Sequence, residues 1–228
     1  MNPFYLTESA RRLKGHYPPH DVVAETLGKL TKQEKLGFVR AWLSEGIPFA
    51  FHNTPLLYES MRDLVARRLG VPATSAMMIG SGKIGYSMSP STFGRPFGIG
   101  SDLDLSIAES QLFSKLKNDY ESWEADMAAG RIVPTSPAEK RNWPENLRIL
   151  PKNLAKGFVD PYKIPSYFKY GTAQAANQTQ WLILSRLRAT PGAPTVTRVS
   201  IRVYKDLSAF IDRMEFNLSQ ALRSANGS

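Results

Sequence analysis

The chain has 228 residues, of which 42% are hydrophobic and 11% aromatic, and it carries a formal net charge of +9 with a pI near 9.7. This composition excludes a disordered polypeptide, and the length suits one larger domain or a catalytic core with a helical annex. Because cysteine is absent, disulfides, thiolate metal sites and thiol nucleophiles are excluded. The positive charge predicts polyanionic partners, namely nucleotides, nucleic acid or an acidic protein.

Neither a membrane span nor a secretion signal is predicted. No stretch approaches the roughly 18 apolar residues of a transmembrane helix, and residues 1–5 lack the basic start and apolar run of a signal peptide. A chain without cysteine fits a reducing compartment, so we expect a cytoplasmic protein without a membrane partner.

Two helices are predicted before the first strand. Thr31 and Glu34 form a capping-box pattern, and the apolar residues that follow indicate an amphipathic helix ending at Gly46. Pro55, at a tolerated first-turn position, begins a second amphipathic helix that ends at Gly70.

Two short apolar runs follow, and each predicts a strand. Residues 75–79 lead into Gly80 and Ser81, and residues 101–107 read Ser-Asp-Leu-Asp-Leu-Ser-Ile. Because successive side chains of a strand alternate between faces, Asp102 and Asp104 are predicted to project to the same side. Two adjacent carboxylates need a divalent cation or basic groups to neutralise them, and Mg²⁺, which prefers oxygen ligands, fits this arrangement.

The Gly80-Ser81 turn is a candidate phosphate site. Its glycine lets backbone amides approach phosphate oxygens, and the Ser81 hydroxyl adds a donor. The run is not a P-loop, because Met77 and Ile84 stand where that motif requires glycine and Ser or Thr. Lys83 either faces the phosphates or is an ordinary solvated lysine.

The later elements alternate between helix, loop and strand. Residues 109–130 predict a helix, 132–165 a proline-rich irregular excursion, 172–188 a helix, 195–203 a strand and 206–224 a final helix. On that strand Arg198 and Arg202 share a face. Beside the Asp102 strand they would neutralise a triphosphate. The alternative is an exposed basic edge that deters aggregation.

Gly80-Ser81 followed by Asp102-x-Asp104 resembles the signature of the polymerase beta-type nucleotidyltransferase superfamily, in particular its small bacterial members in phage defence and toxin-antitoxin pairs. The likeness covers roughly residues 45–110. It implies an α+β fold in which a small mixed β-sheet packs with helices, with helical N-terminal and C-terminal elements. It also implies that Gly80 and Ser81 bind phosphates and that Asp102 and Asp104 bind Mg²⁺ or Mn²⁺.

Two departures from the superfamily pattern matter. Residues 86–100 lengthen the interval between the Gly-Ser turn and the aspartates, and they are predicted to form a loop or hairpin over the site. The third carboxylate, which superfamily members take from a later strand, is missing from residues 195–203. Asp160 and Asp206 are the alternatives, with Asp160 preferred as the third catalytic residue.

The sequence thus predicts a helical segment over residues 1–50, a nucleotidyltransferase core over 51–110, and an extension over 111–228 whose late strand and last helix complete the core. The predicted function is metal-dependent transfer of a nucleoside monophosphate from a triphosphate such as ATP to a hydroxyl of a nucleotide, a nucleic-acid end or a protein, in phage defence. The predicted site residues are Asp102, Asp104 and Asp160 for catalysis, Asp102 and Asp104 for the metal, and Gly80, Ser81, Lys83 and Arg202 for the nucleotide. The alternatives are a catalytically degenerate nucleotide- or nucleic-acid-binding module and an antitoxin-like partner.

Overall fold

The structure is a computed structural model that describes residues 5–225, with side chains described through residue 220. Within that part the chain forms nine α-helices and one mixed four-stranded sheet, which confirms the coarse prediction of an α+β protein. The helices are α1 (Glu8–Arg12), α2 (His20–Leu27), α3 (Lys32–Phe38), α4 (Pro55–Leu69), α5 (Ser81–Ile84), α6 (Ser110–Ala128), α7 (Pro137–Ala155), α8 (Gly171–Ala189) and α9 (Leu207–Ala225). The strands are β1 (Ala76–Ile79), β2 (Asp102–Ala108), β3 (Phe158–Val159) and β4 (Arg198–Tyr204).

The early helices follow their sequence signals. Thr31 and Glu34 make both bonds of the capping box at the start of α3. From Val39 to Ser44 the chain continues with the wider π-helical geometry, so the predicted helix to Gly46 changes type part way. Gly70, with φ +66°, ends α4 in the left-handed conformation that glycine adopts without a steric penalty.

The sheet has the strand order β1-β2-β4-β3, so β2 and β4 are its central strands. β1 lies antiparallel to β2, and Ile79 at its end stands opposite Asp104. β2 and β4 run parallel and pair three polar positions: Asp102 with Arg198, Asp104 with Ser200, and Ser106 with Arg202. The late strand therefore packs beside the Asp102 strand. Neutralisation of a triphosphate by Arg198 and Arg202 requires this arrangement.

The two faces of the central strands differ in chemistry. Alternate residues of both strands are buried in the main hydrophobic core against α4, α6 and α8; they are Leu103, Leu105, Ile107, Val199, Ile201 and Val203. The residues between them form a polar row on the opposite face. A second, smaller core joins the early helices to α9. The sheet thus presents one polar row between two apolar clusters.

The prediction of an irregular excursion over residues 132–165 is wrong. Most of that stretch is α7, and the short strand β3 follows it. Ser136 and Glu139 form a capping box, and the apolar residues of α7 recur at helical spacing; they are Trp143, Leu147, Leu150 and Leu154. Pro144 and Pro151 lie inside the helix, so burial of this apolar stripe outweighs their loss of backbone hydrogen bonds.

The other late elements match their predicted bounds within three residues at each end: α6, α8, β4 and α9. The four strands form one sheet, with β1 and β2 in the predicted core of residues 51–110 and β3 and β4 in the predicted extension of residues 111–228. None of the helices in residues 5–225 combines the length and the apolar character that crossing a bilayer would require.

Candidate functional site

Asp102 and Asp104 project from the amino-terminal end of β2 on the face away from the main core, as strand alternation predicts. Both are partly buried, and the neighbouring strand segment holds them. Thr197 Oγ1 and Arg198 Nη2 donate to the two carboxylate oxygens of Asp102, each at 2.7 Å. Ser200 Oγ donates to Asp104 Oδ1 at 2.6 Å. Asp104 Oδ2 has no hydrogen-bond partner among the described residues.

Gly80 brings the end of β1 against the Asp104 carboxylate. Its torsions, φ +69° and ψ −153°, lie in a region essentially restricted to glycine. A Cβ atom added there would lie 3.1 Å from Asp104 Oδ2. The torsions therefore require glycine, a Cβ there would also crowd the Asp104 carboxylate, and the bend places Ser81 in the same cavity as the aspartates.

The four motif residues line one cavity of about 630 Å³, a size typical of small-molecule sites. The cations of its described lining are Arg95 and Arg198. Residues of the predicted loop over the site form part of the wall, from Ser87 to Arg95. Helix α9 closes another side with Met214, Asn217, Leu218 and Gln220.

The sequence motifs do not point to Arg95, which the structure adds to the site. It is the single charged residue in residues 86–100, and that isolation is a signal that could have found it. Backbone hydrogen bonds close the loop at this residue, since Ser87 N donates to Arg95 O at 2.8 Å and Gly94 N donates to Ser87 O at 2.9 Å. Its guanidinium is exposed and makes no ion pair with a described carboxylate.

Lys83 is absent from the described lining of that cavity. The residue is 3% exposed, and Nζ donates to the carbonyl oxygens of Glu45 and Gly46, the second at 3.0 Å. Burial lowers the pKa of Lys83 to about 8. Lys83 is therefore not a solvated lysine, and in this structure its ammonium ties α5 to the end of the π-helical segment instead of lining the cavity.

Arg202 and Asp160 form an ion pair beside the aspartates. Arg202 Nε donates to Asp160 Oδ1 at 2.6 Å, and the guanidinium lies 4.8 Å from the ring centre of Phe158. Burial lowers the pKa of Arg202, but the adjacent carboxylate outweighs burial and holds that pKa above its usual range. The pair lines a second cavity of about 400 Å³ together with Asp104 and Ser200.

The strand next to β2 supplies no third carboxylate, because Ser200 is the residue facing Asp104. Asp160 lies one strand further and is engaged with Arg202. Asp206 follows the opposite end of β4 and caps α9 by accepting from Ala209 N at 2.8 Å. Among the residues whose side chains are described, no cluster of three His, Cys, Asp or Glu could hold a metal ion.

The carboxylates of Asp102 and Asp104, together with the Ser81 hydroxyl in the same cavity, nevertheless fit a hard cation that is shared with a substrate. Mg²⁺ commonly uses one or two carboxylates and completes its coordination with phosphates and water. Asp104 Oδ2 is free to coordinate. The exposed pair of Arg198 with Asp102 is of a kind that contributes about 1 kcal/mol or less, so a cation would displace it at little cost. The donor set therefore fits Mg²⁺ or Mn²⁺ bound together with a nucleotide.

Comparisons with known proteins add no relative. A scan against protein-family models, a search of curated proteins and a search of solved structures each find no match. The likeness to the nucleotidyltransferase superfamily therefore depends on the four motif residues.

Proposed function

We propose that this protein is a metal-dependent nucleotidyltransferase, which moves a nucleoside monophosphate from a nucleoside triphosphate to an acceptor hydroxyl. The observation that carries the proposal is the placement of Asp102 and Asp104 on one strand face, against the Gly80 bend, in a cavity that also contains Arg95 and Arg198. A setting in bacterial phage defence is proposed from the family resemblance alone.

The triphosphate would lie between the Gly-Ser bend and the two arginines. The positive φ of Gly80 forms the bend that turns Ser81 into the cavity, and the Ser81 hydroxyl would donate a hydrogen bond to a phosphate oxygen. Arg95, which has no carboxylate partner among the described residues, offers a planar fork suited to phosphate. In this proposal Arg95 binds the phosphates in place of Lys83, whose ammonium is bound to backbone carbonyls.

Asp102 and Asp104 would hold Mg²⁺ or Mn²⁺, which when bound supplies positive charge to the reacting phosphate and to its leaving group. The acceptor oxygen forms a bond to the α-phosphorus, and the bond from that phosphorus to the bridging oxygen breaks. Its electron pair leaves with pyrophosphate. The proton of the acceptor hydroxyl passes to solvent water, and Asp160 positions Arg202 along the same face.

The test is pyrophosphate release by the purified protein with Mg²⁺ or Mn²⁺, each common nucleoside triphosphate, and oligonucleotide and protein acceptors. We expect turnover by the wild type, and a loss of about 100-fold or more in Asp102→Asn and Asp104→Asn. Asp63→Asn is the matched control, because Asp63 is exposed on α4 and makes no ion pair with a described residue. Turnover that survives both site substitutions would refute the proposal.

The second candidate is a catalytically degenerate binding module. It is favoured by the serine opposite Asp104 and by the lack of a three-acid cluster among the described side chains. This candidate predicts no pyrophosphate release with any nucleotide. It also predicts salt-sensitive binding of nucleic acid that persists in Asp102→Asn and Asp104→Asn.

A further inference from the structure

The cavity at Asp102 and Asp104 has two further cavities near it. The next, of about 400 Å³, contains Ser200 and Arg202, and the one after it, of about 470 Å³, lies between α7 and α8. Arg198 lines all three. Tyr162 and Gln180 line both outer cavities, so the three cavities are adjacent. The two outer cavities together are called the lateral groove.

Two aromatic rings stand open to solvent in the lateral groove. Trp181 on α8 is 72% exposed, and Tyr162, in the turn after β3, is 55% exposed. Exposure of a large ring forgoes the stabilisation that its burial would give, so fold stability does not account for these positions. Two rings from separate elements that line one cavity provide a surface on which a planar ligand can stack.

The polar groups that line the 470 Å³ cavity are mainly amides and cations, set among apolar side chains such as Trp143 and Leu184. Asn142 and Asn146 of α7 contribute amides, and Lys163 and Arg198 contribute cations. The one acid of the described lining is Glu139, which already accepts hydrogen bonds from the Ser136 and Thr135 backbone and the Tyr167 hydroxyl. Amides recognise the edges of bases, and cations recognise phosphates. The chemistry of the groove therefore matches nucleotides.

We propose that the lateral groove binds the end of a single-stranded nucleic acid, whose terminal hydroxyl is the acceptor; this deepens the proposed transferase function and depends on it. Gly80 and Arg95 line only the cavity of the triphosphate, Ser200 and Arg202 line only the groove, and Asp104 and Arg198 line both. Donor and acceptor thus approach the carboxylates from different sides. Two cavities in series leave room for more than one nucleotide unit. The net charge of +9 favours a polyanionic strand.

The test measures binding without catalysis. Fluorescence anisotropy would follow short, labelled single-stranded RNA and DNA of the same sequence, added to the full chain without metal or triphosphate. We expect Trp181→Ala to weaken binding by about tenfold or more, since stacking on one ring is lost. Trp181→Phe should restore most of the affinity. Phe168→Ala is the matched control, because Phe168 is 91% exposed but is not in the described lining of the groove.

The outcomes separate this inference from the transferase proposal. Binding of RNA, DNA or both that depends on Trp181 supports the groove and identifies the strand. Equal affinity of Trp181→Ala and Phe168→Ala overturns it, whatever the turnover. A Trp181 effect on triphosphate binding alone also overturns it, because the ring would then hold the donor base. Trp181-dependent strand binding without any transfer supports the groove as a binding site and refutes the transferase.

Discussion

Single residues in the wall of the candidate site are held by close contacts. A side chain at Gly80 would crowd the Asp104 carboxylate, and Ser200 reaches the same carboxylate from a segment 96 residues later. Gly80 directly follows β1, Asp104 lies in β2 and Ser200 lies in β4. A small substitution here is therefore expected to alter the geometry of the carboxylates even when the fold persists.

Replacing Gly80 with alanine should reduce both stability and activity. Torsions restricted to glycine cost another residue on the order of 1–3 kcal/mol, and the new Cβ would press on Asp104 Oδ2, 3.1 Å away. We expect the free energy of unfolding, measured in urea, to fall by about 2 kcal/mol. The rate of nucleotidyl transfer by the folded fraction should fall by about tenfold or more.

Gly70→Ala is the control for backbone strain alone. Gly70 also has a positive φ, of +66°, but a Cβ there would meet nothing within 4 Å. It should lose about 1 kcal/mol of stability and keep its activity. An equal loss of activity in both variants would contradict the role given to the contact between Gly80 and Asp104.

The buried Lys83 should produce a measurable pH dependence of stability. Its pKa falls from the ordinary 10.5 to about 8 because of burial. Between these values the unfolded chain holds this proton more tightly than the folded chain, so the contribution of Lys83 to the unfolding free energy rises with pH. The full rise is about 3 kcal/mol. Unfolding free energies of the wild type and Lys83→Met should therefore diverge across this interval, in favour of the wild type.

Lys115→Met provides the comparison, because Lys115 is exposed on α6. Its stability profile should run parallel to that of the wild type over the same pH interval. A constant difference between the wild type and Lys83→Met would show that the ammonium is not disfavoured in the folded state.

Part of the site could be predicted residue by residue, because some side-chain positions are determined by neighbours in the sequence. The shared face of Asp102 and Asp104 follows from strand alternation, which the neighbouring residues determine. The destination of the Lys83 ammonium depends on carbonyls 37 and 38 residues earlier in the chain. The place of Arg95 depends on how a long loop folds back. No local pattern encodes where the Lys83 ammonium lies, and the isolation of Arg95 among uncharged residues marks the residue without giving its position.

Among the elements, α7 shows how an apolar stripe can outweigh strong local signals. Its two internal prolines indicate a break, yet Trp143 and Leu150 are buried at helical spacing and a capping box starts the helix. The sequence prediction gave the prolines more weight than the periodicity. Most other elements could be predicted because their local signals and their apolar spacing agree.

Replacing Pro144 with alanine should stabilise the protein. Proline in a helix interior is about 3 kcal/mol less favourable than alanine, and alanine restores a backbone donor. The gain is reduced by about 0.4–1 kcal/mol because the unfolded chain becomes more flexible. We expect the free energy of unfolding to rise by about 2 kcal/mol in urea denaturation. Pro144 is exposed, so the change removes no core contact.

Pro137→Ala is the matched control at the first turn of the same helix. No intrahelical bond is available to the backbone nitrogen there, and the fixed φ of proline suits the position. Its stability should stay the same or fall slightly. A stabilisation equal to that of Pro144→Ala would show that the helix interior carries no proline penalty.

For the whole molecule, the candidate site joins segments that are far apart in sequence. Residues 80, 81, 95, 102, 104 and 198 line one cavity, and three of the four strands contribute to it. A ligand that binds all of these segments contacts the sheet only when it is assembled. Its binding free energy should therefore appear as stability of the entire fold.

A nucleoside triphosphate with Mg²⁺ should raise the midpoint of thermal unfolding. At a free ligand concentration of about 100 times Kd, the stabilisation is about 2.7 kcal/mol. The shift should grow with ligand concentration in differential scanning fluorimetry and should need the divalent cation. The double variant Asp102→Asn, Asp104→Asn should show no metal-dependent shift, whereas Asp63→Asn should behave as the wild type. An equal shift in the double variant would place the ligand elsewhere.

The central position of β4 also bears on when the site exists during synthesis. Arg198 and Ser200 lie 96 residues after their carboxylate partners. At about 5–20 residues per second, a ribosome needs about 5–20 s to span that interval. Until then the nascent polypeptide has Asp102 and Asp104 but not the strand that flanks them. Both carboxylates therefore gain these hydrogen-bond partners only after this strand has left the exit tunnel.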